Sequence, residues 1–245
     1  QKSIKRIKKN YGEIYNFTWQ VLNCAEYGVP QKRERFFLVA NRMGKEFSFP
    51  KRTHGDKASV EVSKGFLKPF KTPAQAFHGI DYKKQNENVI VGGKWKDLLP
   101  CIPPGTNYQY FTEKGKGPNI FEYRSRYWTF LLKLSPRDPS WTIQASPGSS
   151  TGPFHWDTRR LYSRELARIQ TIPDWVKLHN NIRVNQRLIG NAIPSLMGEV
   201  LGKAIQKQLF NAKIPKLTIL LPSDVQTRLL PKYNTRVPSQ FLIQN

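Results

Sequence analysis

Apolar positions recur at different spacings in different parts of this chain. In residues 3 to 11, Ile4, Ile7 and Tyr11 fall at helical spacing among Lys5, Arg6, Lys8 and Lys9, which predicts a short amphipathic helix with a cationic face in water. The period then shortens. Phe17 to Leu22 is rich in aromatic and β-branched residues, and Arg35-Phe36-Phe37-Leu38-Val39-Ala40 is a continuous apolar run of the kind found in a buried strand. Between them, Tyr27-Gly28-Val29-Pro30-Gln31 reads as a turn.

From about residue 51 to residue 152 the pattern is weakly periodic and broken by Pro100, Pro103-Pro104-Gly105 and Pro147-Gly148, as expected of a loop-rich second domain. Helical spacing returns at Ser163, a candidate N-cap with Glu165 in the first turn and Pro173 as the stop. A longer helix is predicted from Pro194 through Leu196, Met197, Val200, Leu201, Ala204, Ile205 and Leu209. Residues 211 to 245 carry Pro215, Pro222, Pro231 and Pro238, which predicts an extended, wrapping or partly disordered tail.

Charge narrows the function. Lys+Arg 40 against Asp+Glu 17 gives a formal net charge of +23 in 245 residues, and the pI near 10.2 points to a polyanion such as DNA, RNA or anionic lipid. Aromatics at 12%, with six tryptophans, favour a folded body over a basic tail. No run approaches the roughly 20 apolar residues of a membrane helix; Leu217 to Leu221 is far too short. Nothing apolar follows Gln1-Lys2-Ser3-Ile4-Lys5-Arg6, so no signal peptide and a reducing compartment are expected. Two cysteines exclude a disulfide framework.

Several chemistries lack their residues. His54, His78, His155 and His179 are scattered, and neither Cys24 nor Cys101 has a second cysteine at ligand spacing, so no metal is expected. Gly92-Gly93-Lys94 and Gly115-Lys116-Gly117 lack the preceding strand and following helix of a phosphate site. In Tyr123-Arg124-Ser125-Arg126-Tyr127-Trp128, basic and aromatic residues interleave. That segment fits either a surface that stacks on nucleic acid or strands with one wet face.

An ordered set of longer segments is more specific. Val21-Leu22-Asn23-Cys24-Ala25-Glu26-Tyr27-Gly28-Val29-Pro30-Gln31-Lys32-Arg33-Glu34-Arg35-Phe36-Phe37-Leu38-Val39 is followed by Phe47-Ser48-Phe49-Pro50. Further on come Arg160-Leu161-Tyr162-Ser163-Arg164-Glu165-Leu166-Ala167-Arg168-Ile169-Gln170-Thr171-Ile172-Pro173-Asp174 and Gln186-Arg187-Leu188-Ile189-Gly190-Asn191-Ala192-Ile193-Pro194. In this order they resemble the eighth motif, the approach to the target recognition domain, and the ninth and tenth motifs of cytosine-5 DNA methyltransferases. The resemblance covers residues 1 to about 210, with the middle matched by position alone.

The resemblance implies an α/β fold: terminal strands and helices of a methyltransferase-type, Rossmann-like sheet plus a loop-rich, mostly β target recognition domain. Residues 1–50 would end the catalytic domain, 51–152 would read DNA, 153–210 would return to the catalytic domain, and 211–245 would form the tail. Arg33 and Arg35 alternate, so both side chains are expected on one side, able to hold phosphate or a pyrimidine carbonyl. In the family this pair, with Gln31, supports catalysis beside a cytosine flipped out of the duplex, where attack becomes possible. Arg124 and Arg126 are further candidate DNA contacts. Asn191 and Ala192 are candidates for the rim of an S-adenosylmethionine pocket, with a helix cap as the alternative for Asn191. Arg164, Glu165 and Arg168 are expected to be structural, on a salt-bridged helix face.

The family's glycine-rich cofactor motif, its Pro-Cys nucleophile and its Glu-Asn-Val segment cannot be placed here. Pro100-Cys101 lies after the eighth motif and lacks the family's surrounding glycines and glutamine, so Cys101 is not expected to attack C6. Cys24 is expected to be a small buried residue. The chain then reads as a recognition half, inactive alone, acting on duplex DNA beside a complementary chain or N-terminal half that carries the missing motifs. Its strands would expose apolar surface in isolation. A prokaryotic, nucleoid-associated cytoplasmic location follows, or a nuclear one in a eukaryote. A non-catalytic DNA-binding module and a basic RNA-binding protein remain open readings.

Overall fold

The structure, a computed structural model, describes residues 2–219, 222 and 230–242. Helix α1 spans Lys2–Tyr11, with Ile4 and Ile7 half-buried and its lysines exposed. Lys8 and Lys9 fall in its last turn, where a cation complements the helix dipole. The Lys8 ammonium also lies 4.6 Å from the ring centroid of Trp19.

Strands β1 (Asn16–Asn23) and β2 (Glu34–Asn41) pair antiparallel, from Asn16 opposite Asn41 to Asn23 opposite Glu34. Asn23 organises the connection: its Oδ1 accepts from the backbone N–H groups of both Ala25 and Arg33, each at 3.2 Å. A 3₁₀ turn, Cys24–Tyr27, follows and is closed by Gly28 at φ 92°, a left-handed conformation natural to glycine. The predicted turn at 27–31 is therefore preceded by a helical turn. Among the described residues the sheet has two strands, so the apolar run of β2 is covered on one face, not enclosed like a buried strand, and the expected exposed apolar surface is present. One face packs through Leu22 and Phe37 on Leu196, Met197 and Leu201, while Val21 and Phe36 stand 58% and 50% exposed.

Residues 51–152 are loop-rich, as predicted, but not mostly β. They hold the two-residue parallel strands β3 (His54–Gly55) and β4 (Lys68–Pro69), short helices α2 (Val60–Ser63) and α3 (Pro73–Phe77), and several 3₁₀ turns. Elsewhere pairing is reduced to isolated bridges such as Phe130 with Thr151. Prolines lack the N–H a ladder needs, and their frequency here keeps extended segments from pairing further. Their core is Leu98, Leu99, Ile102, Phe111 and Leu131 with Phe154.

Helix α4 spans Ser163–Ile169. Tyr162, not Ser163, is its N-cap, and its N–H donates to Glu165 Oε2 at 2.9 Å. Ser163 is the first helical residue, and its N–H is satisfied by Glu87 Oε2 at 2.7 Å. The helix ends before Pro173 because Thr171 turns to φ 54° and its N–H bonds the Arg168 carbonyl. Helix α5 spans Ile182–Asn191, and α6 spans Ser195–Phe210 with Pro194 as its cap, close to the predicted stripe. A shared core of Leu134, Ile143, Leu166, Ala167, Ile169 and Ile189 joins the middle region to α4 and α5.

The tail wraps. Asn234 N–H bonds the Pro100 carbonyl at 3.0 Å. Phe241 enters the core of the middle region and stacks on Trp95 at 5.5 Å. The remainder of the predicted tail, at 220, 221, 223–229 and 243–245, lies outside the described residues.

Candidate functional site

Gln31 and Arg33 are fully buried where three distant segments meet. Gln31 bridges Ser140 in parallel, and its Oε1 accepts from Ile143 N–H at 3.1 Å. The Arg33 guanidinium fans over carbonyls: Nη2 donates to Gly190 O at 2.7 Å and Ala192 O at 3.0 Å, and Nη1 to Ile143 O and Gln31 Oε1, both at 3.4 Å. Five fixed donors in one plane suit such a role better than a lysine would. Burial, with repulsion from Arg35 second, lowers its pKa to about 10, which leaves it charged at neutral pH.

Residues 170 and 171 join the same knot. Gln170 Nε2 donates to Ile189 O at 2.8 Å, Thr171 Oγ1 accepts from Leu196 N–H at 2.9 Å, and Ser195 N–H bonds Gln170 O. Gly190 permits the approach of α5 to the preceding loop, since a Cβ there would lie 2.5 Å from Ala145 Cα.

Arg33 and Arg35, expected together on one side as DNA contacts, differ in accessibility. Both Nη atoms of Arg33 donate to protein carbonyls and the side chain is fully buried, so in this structure it ties segments together, while its Nε is left without a hydrogen-bond partner among the described residues. Arg35 is the accessible member: it is half-buried, and Nη1 donates to its neighbour's carbonyl, Glu34 O, at 2.7 Å in an exposed setting. Both guanidinium groups act on Cys24, yet burial dominates and raises that thiol to about 11. The Cys101 thiol is also pushed up by burial and donates to Arg236 O at 3.4 Å. Neither thiol is presented for attack.

Asn191 is exposed at the last position of α5, and Ala192 is the C-cap, with its carbonyl occupied by Arg33. Neither residue lines the cleft at the start of α5. That cleft, about 840 Å³, lies between residues 145–153 and the start of α5, and presents Arg160, Arg183 and Arg187 with Ser146, Ser149 and Thr151.

Around α4 the expected salt-bridged face is replaced by bonds that leave the helix. Glu165 is fully buried and receives Arg159 on both oxygens at 2.8 and 2.7 Å, with Tyr82 Oη donating at 2.8 Å. Arg168 pairs with Asp174 through two bonds, and Arg164 lies 3.6 Å from the same carboxylate. The Arg168 hydrogen bond holds Asp174 below the usual carboxylate range against its partial burial. The importance of Arg159 and Tyr82 was not visible in the sequence, where each is one basic or aromatic residue among many.

Arg124 and Arg126 sit on an exposed arm, a 3₁₀ turn at Ser125–Tyr127 rather than a strand. Arg124 pairs with Glu122 at 3.4 Å. Among the described residues no group of histidine, cysteine or acidic side chains could hold a metal, and no helix is long and apolar enough to cross a membrane.

A family model, C-5 cytosine-specific DNA methylase, matches residues 2–207, a span that includes every segment meeting at Arg33. The chain belongs to this family. It is 42% identical over 207 residues to the type II methyltransferase M.SacI of Streptomyces achromogenes, covering 80% of this chain and 53% of that protein. It is 31% identical over 199 residues to M.NgoFVII of Neisseria gonorrhoeae, covering 79% and 51%. The chain thus spans about half the length of the curated relatives it matches. In fold it is similar to a DNA modification methyltransferase encoded within a prophage (E. coli), with TM-score 0.54 and 17% identity, over 86% of this chain and 65% of that one.

Proposed function

We propose that this chain is the target-recognition and C-terminal half of a DNA (cytosine-5)-methyltransferase that uses S-adenosylmethionine, and that it is inactive alone. One observation carries the reading: Arg33 closes a junction of three family segments while both thiols of the chain stay buried and protonated. A separate polypeptide portion then supplies the nucleophile, the Glu-Asn-Val glutamate and most of the cofactor pocket. The exposed face of the hairpin, Trp19, Val21 and Phe36, is where that portion packs, since apolar area of this kind is stabilised by being covered.

In the assembled enzyme, Arg35 meets the flipped cytosine or its phosphate, and Arg33 and Gln31 hold the backbone that presents it. Asn191 lies at the rim of the cofactor pocket. Arg124 and Arg126 neutralise phosphates while loops of residues 51–152 read the groove, so duplex binding weakens as salt rises. The bound cofactor supplies the methyl group, and this chain's share is to bind, orient and hold the base open.

The test is complementation. A portion bearing the Pro-Cys and Glu-Asn-Val motifs, mixed with this chain, should transfer labelled methyl from S-adenosylmethionine to cytosine in duplex DNA, and neither part should do so alone. Competition by structured RNA equal to that by duplex DNA would point to the RNA-binding reading instead.

A further inference from the structure

Two tryptophans outside the Arg33 junction remain half in water. Trp128 and Trp141 are 37% and 43% exposed, with ring centroids 5.2 Å apart and planes tilted by 57°. The Lys32 ammonium lies 5.3 Å from the Trp141 centroid. Large indoles are ordinarily well buried, and a pair left open in a cationic setting is a surface for something flat and anionic.

Their placement is fixed from both sides. Trp141 follows Ser140, whose carbonyl accepts from Lys32 N–H at 2.7 Å and whose N–H bonds Pro30 O at 2.9 Å. Thr142 Oγ1 donates to Lys32 O at 2.9 Å. Trp141 is thereby tied to the segment that leads through Arg33 to Arg35. Trp128 closes the 3₁₀ turn of the exposed arm, its carbonyl held by Asn107 Nδ2 at 2.6 Å, directly after Arg126 and the 52%-exposed Tyr127.

We propose that Trp128 and Trp141 form a stacking platform for a base of duplex DNA that is unstacked next to the flipped cytosine, with Lys32, Arg124 and Arg126 holding the flanking phosphates. This rests on the reading of the chain as the DNA-binding half of a base-flipping enzyme. Charge complementarity selects the occupant: Lys32 beside Trp141, the exposed Arg124 and Arg126 that precede Trp128 on its arm, and the chain's net charge of +23 favour a nucleic acid over a protein surface. A base has a π face whatever its identity, so the platform tolerates any sequence.

The full chain would be titrated with two labelled duplexes of one sequence, one fully paired and one with a single unpaired cytosine. The wild type should prefer the unpaired duplex. Trp141→Ala and Trp128→Ala should each weaken binding to it roughly tenfold while changing binding to the paired duplex less than about twofold. Trp141→Phe should recover most of the loss, which separates stacking from misfolding. Equal losses on both duplexes, or none on either, would overturn the platform while leaving salt-sensitive duplex binding, and so the functional reading, intact. A defect confined to assembly with the complementary portion would assign the pair to a protein interface and also overturn it. No duplex binding by the wild type would overturn both.

Discussion

Arg33 Nη2 bonds the carbonyl of Gly190 at 2.7 Å across a sequence separation of 157 residues. This contact and its neighbours make Arg33 the tie between the hairpin and the end of α5, whereas Arg35, two residues on, is accessible. Their substitutions should therefore part. Arg33→Ala leaves buried carbonyls without donors and should cost about 3 kcal/mol of stability, read as a lower urea midpoint. Arg35→Ala should cost less than about 0.5 kcal/mol but sharply lower methylation by the assembled enzyme, more than it lowers DNA binding. Equal losses of methylation and binding would reduce Arg35 to a simple phosphate contact.

Gly190→Ala tests the close approach of α5 to the loop at Ala145. The added Cβ would fall 2.5 Å from Ala145 Cα and 2.6 Å from Ala145 N, both backbone atoms that cannot swing aside. A loss of about 2 kcal/mol is expected, whereas Gly198→Ala, where nothing lies within 4 Å, should be neutral or slightly stabilising. Similar thermal midpoints for the two variants would contradict the packing described.

Acid should weaken the fold earlier than its carboxylates alone would require. His155 is buried, its Nδ1 accepts from Asp157 N–H at 3.0 Å, and burial first, then Arg159 and Lys133, lower its pKa to about 2. Its Nε2 lies 3.6 Å from Glu165, but that carboxylate is already matched by Arg159. The unfolded chain takes up a proton on this histidine near pH 6.5, and the folded chain does not, so stability falls as pH drops below about 6.5. Between roughly pH 6.5 and 4.5, above the carboxylate range, His155→Asn should flatten that fall in unfolding titrations. An unchanged slope would mean that His155 is charged in the folded state.

The tail supports the middle region. Phe241→Ala removes a buried ring stacked on Trp95 and should cost about 3 kcal/mol. Local exchange of amides near Leu99 and Phe111 should rise, while those of the hairpin remain protected. Loosening of both regions alike would contradict separate cores.

Local patterns were legible where local forces decide. Ile4 and Ile7 marked α1, the aromatic and β-branched runs marked both strands, and the stripe from Leu196 to Leu209 marked α6. The N-cap of α4 was misplaced by one residue because Ser163 N–H is satisfied by Glu87, far away in sequence. The mostly β middle region was expected from the resemblance alone; its own pattern is weakly periodic, and its prolines remove the donors a ladder requires. The spacing of Arg33 and Arg35 put both side chains on one side of the strand but gave no sign that one is fully buried and the other only half-buried. Arg33 is buried by Ile143, Gly190 and Ala192, contacts that no local window contains. Glu165 was placed in its helix, while its partners Arg159 and Tyr82 lie outside it.

The most direct measurement is transfer of labelled methyl from S-adenosylmethionine to cytosine in duplex DNA, made with this chain alone and with a complementary portion bearing the Pro-Cys and Glu-Asn-Val motifs. The account predicts no transfer by the chain alone, salt-sensitive DNA binding, and transfer on mixing that is lost with Arg35→Ala. Transfer by this chain alone would contradict it.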